Sequence, residues 1–117
     1  MDLSSELDKI IEIIKGRVER EIPDKGFFRD FAENLEAGKQ PDFFGSNIAL
    51  FVERDAERDG RAFLGVSVLH PQIRMDATSY LMNGDRETIL KFLQDPQLKE
   101  KLQKNILKLS DSLKDVR

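Results

Sequence analysis

The sequence has no cysteine, and that absence removes a disulfide scaffold, a thiolate metal site and a cysteine nucleophile together. Histidine occurs once, as His70, so any imidazole chemistry rests on that residue. No basic leader or long hydrophobic run is present. Met1 to Glu6 is acidic where a secretory signal is basic, and the longest purely apolar run, Ile48 to Val52, is far too short to span a bilayer. These absences point to a cytoplasmic protein with no membrane partner.

Excess positive charge is also missing. The chain carries 19 basic against 22 acidic residues, a net charge of −3. Only residues 85–117 are basic, with 8 against 6, whereas residues 1–45 carry 7 against 11. Nucleic-acid affinity needs a concentrated positive field, so binding to nucleic acid is disfavoured. Gly38-Lys39 lacks the upstream glycine and the following Ser or Thr of a phosphate loop, and no cofactor is expected. At 117 residues the chain suits one domain over 1–117, with a single core and no need of metal or disulfide.

What is present is a hairpin pattern over residues 47–70. Ile48, Leu50 and Val52 alternate onto one face of a first strand, and Ala62, Leu64, Val66 and Val68 onto one face of a second. Register follows from that alternation. Val52 should stand opposite Leu64 or Ala62, because a one-residue slip would match the apolar row with Phe63, Gly65 and Ser67. The other face, with Ala49, Phe51, Phe63 and Leu69, should be partly covered. After His70-Pro71-Gln72, residues 74–82 read as a third, weakly patterned strand, completing an antiparallel β-meander.

Leu3, Leu7, Ile10, Ile11, Ile14 and Val18 recur at helical spacing, predicting an amphipathic helix from residue 3 to about 21, limited by Pro23. Asp24 as cap, with Phe27, Phe28, Phe31 and Leu35 on one face and Gly38 as closure, predicts a second helix over about 25–37. Residues 39–46 form an aromatic loop. Asp85 caps a later helix, Asp95-Pro96 breaks or kinks it, and the helical segment then continues to about Lys114. Its stripe Leu98, Leu102, Ile106, Leu109, Leu113 and Val116 suits packing on a sheet or another helix. The expected fold is α+β: two N-terminal helices, a three-stranded antiparallel meander and a long or kinked C-terminal helical segment, with helices on one sheet face. Apolar residues on both sheet faces and the long leucine stripe suggest a homodimer.

Four groups of residues are candidates for function. Asp55, Glu57 and Asp59, followed by Gly60, match the opening of a calcium loop, but position twelve, where a bidentate glutamate belongs, is Val66. A solvated hairpin turn is the simpler reading. His70 and Asp76 become cross-strand neighbours if residues 71–75 form a turn, the arrangement a general base needs, with Tyr80 close in sequence. No nucleophile elbow accompanies them. Five of the eight phenylalanines fall within Phe27 to Phe44, and Phe43-Phe44 in its loop is either a partner anchor or a plug for the core. Lys101, Lys104 and Lys108 form a ridge that either meets an acidic partner or is a solvated face.

These candidates order three readings. The first is a non-enzymatic protein-interaction module, adaptor or chaperone-like, binding another protein through Phe43-Phe44 or the sheet edge. Second comes a small hydrolase or ligand-binding enzyme built on His70 and Asp76, and third a calcium-stabilised module.

Overall fold

Helix α1 spans Leu3–Glu21 and buries Leu7, Ile10, Ile14 and Val18, the stripe its spacing predicts. The fold is known from a computed structural model that describes residues 3–31, 34–38, 47–58, 60–70 and 73–113, with residues 38, 70, 73–81 and 113 described through their backbone. Ile22 continues the buried stripe, its amide donating to the Val18 carbonyl (3.0 Å), and Pro23 then ends the helix.

Among the described residues no second N-terminal α-helix follows. Phe27 is extended (φ −105°, ψ 140°), Phe28–Asp30 form a single 3₁₀ turn, and Asn34–Gly38 form a strand, β1. Two competing demands defeat the helical spacing of the phenylalanines. The backbone of residues 26–28 bonds to the chain entering the second half of the fold: the Phe28 amide donates to the Gly84 carbonyl (2.7 Å) and the Arg86 amide to the Gly26 carbonyl (2.9 Å). Leu35 and Ala37, two residues apart, are both buried, a strand period and not a helical one. Asp24 caps nothing; its exposed carboxylate meets Arg86 at 3.4 Å.

Among the described residues the sheet therefore has four strands where three were expected. In order they are β1, β2 (Asn47–Arg54), β3 (Arg61–His70) and β4 (Ile73–Asn83), each antiparallel to the next. Val52 stands opposite Leu64, the register the alternation demands. Leu35 and Ala37, then Ile48, Leu50 and Val52, then Ala62, Leu64, Val66 and Val68 form one continuous buried surface. α1 covers it at β1 and β2, and a C-terminal helix covers it at β3 and β4. On the opposite face Ala49, Phe51 and Ser67 are buried while Phe63 and Leu69 are half-buried, so that face is partly covered.

The C-terminal helical segment divides where Asp95-Pro96 predicts. α2 spans Arg86–Leu93 and α3 spans Pro96–Leu113. Asp85 caps α2: its carboxylate accepts from the Thr88 amide (3.1 Å) and from Thr88 Oγ1 (2.7 Å). Asp95 does the same for α3, accepting from the Gln97 amide (2.9 Å). Leu98, Leu102 and Ile106 seat α3 on the core. Among the described residues no helix is long and apolar enough to cross a membrane.

Candidate functional site

Backbone pairing settles the position of several candidates. β3 and β4 pair His70 with Ile73 and Ser67 with Asp76, so Asp76 stands three rungs along the ladder from the His70 pair. The two are not the directly opposed neighbours that the expected turn over 71–75 required. β3 runs to His70 and β4 begins at Ile73, so Ile73, Arg74 and Met75 are already in the ladder where the expected turn would have placed them in a loop. Tyr80 pairs with Leu64, farther away still.

At the β2–β3 turn the Asp55 carboxylate is already engaged. It is 5% exposed, its Oδ1 accepts from the Glu57 amide (2.9 Å), and its Oδ2 lies 3.5 Å from the Arg58 guanidinium. The Asp55 amide donates to the Arg61 carbonyl (3.0 Å), and Gly60 takes φ +79°, a conformation glycine adopts without steric penalty. Local hydrogen bonding inside the turn thus accounts for Asp55, the first of the calcium candidates. Glu57 is exposed, Asp59 lies outside the described residues, and among the described residues no three His, Asp or Glu side chains gather as a metal group.

Phe43 and Phe44 also lie outside the described residues. The earlier phenylalanines do not share one fate. Phe28 is buried in the core, Phe27 lies beneath the Arg29 guanidinium at 5.2 Å from its ring centre, and Phe31 is 50% exposed. A helical spacing had placed all three on one face; the extended backbone at Phe27 separates them.

Lys101, Lys104 and Lys108 are all exposed on α3. On the side of α3 toward α1, Lys99 Nζ pairs with Asp8 at 2.9 Å. With about 100° of rotation per residue, Lys108 lies opposite Lys99, Lys101 beside it, and Lys104 toward the solvent crest. α1 covers β1 and β2 whereas α3 covers β3 and β4, so the side of α3 away from α1 is its side toward β4, the last strand in the sheet order. No ion pair engages Lys104 or Lys108 among the described residues.

β4 itself is the feature the sequence pattern under-read. It is an eleven-residue strand at the end of the sheet order, and among the described residues no strand pairs with its outer edge. The register steps from Leu64–Tyr80 to Gly65–Thr78, leaving Ser79 as a bulge without a β3 partner. Its length could have been found from the absence of any Pro or Gly between Ile73 and Asn83.

A groove of roughly 350 Å³ lies between α1 and the α2–α3 elbow, with Ile11, Leu93 and Pro96 as its apolar part. Its polar rim mixes Asp8, Glu12 and Asp95 with Lys15 and Lys99, and the Asp8–Lys99 pair satisfies charges of opposite sign across it. Such a rim offers no field of one sign to select a ligand. Compared with family models, with curated proteins and with solved structures, the chain matches none of them.

Proposed function

We propose that the protein is an interaction module, adaptor or chaperone-like, that docks an extended segment of another protein along the outer edge of β4. The observation that carries this reading is an eleven-residue marginal strand whose outer edge pairs with no strand among the described residues. Such an edge presents a row of N–H and C=O groups about 35 Å long at the rise of an extended strand, enough to template an added one. Main-chain bonding supplies affinity in this mode, and neighbouring side chains supply specificity. The half-exposed Phe31 and the Phe27–Arg29 pair lie in the N-terminal half of the chain and offer a smaller, separate apolar contact.

The test is a proline at the bulge. Ser79 has no β3 partner, so Ser79→Pro removes least from the sheet while interrupting the outer edge. Capture of proteins on the immobilised chain should fall for this variant, with its circular dichroism and melting temperature close to those of the parent. Undiminished capture by a folded Ser79→Pro chain would refute the edge as the docking surface.

A further inference from the structure

Resting on that reading, we infer that the segment docked on β4 is acidic, and that its carboxylates meet the lysine flank of α3. A strand added outside β4 extends the sheet beneath the side of α3 that faces away from α1. That side presents Lys101 and Lys108, with Lys104 above them, all exposed. Side chains alternate across a strand, so every second residue of the docked segment rises toward the helix layer. A segment with carboxylates at alternate positions therefore sets a row of negative charge along a row of ammonium groups.

Charge on α3 is sorted to suit this. The acids nearest the lysines, Glu100 and Asp111, fall about 100° and 120° from Lys99 around the helix, on the solvent crest beside Lys104, and the flank toward β4 carries Lys101 and Lys108. Along β4 the charged residues Arg74 and Asp76 hold register positions opposite Leu69 and Ser67, and the positions opposite the core residues Val66 and Val68 are the uncharged Ala77 and Met75. A second copy of this chain is the poorer occupant of the same edge. Pairing β4 with β4 about a two-fold axis brings two identical lysine flanks together, and like charges across an interface oppose association.

Three synthetic peptides of one length test the idea, alternating Thr with Glu, Thr with Gln, and Thr with Lys. Amide exchange by NMR on the full chain reads which backbone groups each peptide protects. The Thr-Glu peptide should protect amides within residues 73–78, bind about tenfold or more tightly than the Thr-Gln peptide, and weaken as salt is raised. The double variant Lys104→Glu with Lys108→Glu alters exposed side chains only, and it should reverse the preference toward the Thr-Lys peptide. Equal protection of β4 by all three peptides would overturn the acidic partner and leave edge docking standing. Protection of β4 by none of them would overturn both. A concentration-dependent dimer by light scattering, with β4 protected before any peptide is added, would replace the acidic segment with a second copy.

Discussion

The two margins of the sheet are built differently. β1 is five residues long, lies under α1, and has its Glu36 carbonyl engaged by the Arg17 guanidinium. β4 is eleven residues long, holds only Arg74 and Asp76 as charges, and packs beneath α3, whose Lys101, Lys104 and Lys108 are exposed. A short strand tied to a helix is a common way to blunt an edge, whereas a long one invites pairing. The contrast is between a short margin tied to a helix and a long one whose outer edge pairs with no strand among the described residues.

The largest effect should come from removing the anchor of the protected margin. Leu35 is 1% exposed within the continuous core, so Leu35→Ala should cost about 2–5 kcal/mol in urea denaturation. A loss below about 1 kcal/mol would mean that β1 is an appendage and the two margins are more alike than they look. At the exit from β4, Asp85→Ala removes the α2 cap and both of its bonds to Thr88, with an expected cost of about 1 kcal/mol. Thermal denaturation would read this, and an unchanged midpoint would show that the β4 margin does not depend on how α2 is started. The smallest effect should follow Arg17→Ala. Arg17 is one-third exposed on its side chain, so the loss should be about 0.5–1 kcal/mol, with faster amide exchange in β1 than in β4. Faster exchange spread evenly over the sheet would remove the distinction between its edges.

Much of this fold was legible because its signals are local. Alternation set the β2–β3 register, and Asp85 and Asp95-Pro96 set the starts of α2 and α3, since a cap needs only residues within one turn. β1 was not legible. Phe27, Phe28, Phe31 and Leu35 satisfy a helical period, and nothing within residues 25–37 reveals that Gly26 and Phe28 bond to Arg86 and Gly84, almost 60 residues away. For the candidate site the lysine ridge could be read from spacing, but the packing of α3 on β3 and β4 could not.

What the sequence determined alone is the inventory: no thiol chemistry, one histidine, an α+β pattern, a buried stripe on α1 and α3, and a strand pair with one register. Each of these depends on residue type and on periods of two or 3.6, which the chain carries locally. Tertiary structure alone decided that a phenylalanine-rich segment becomes a turn and a strand, that His70 and Asp76 are not opposed, and that β4 lies at the margin of the sheet. Those outcomes are set by hydrogen bonds and apolar contacts between distant segments, whose free energies exceed the small local preferences they override.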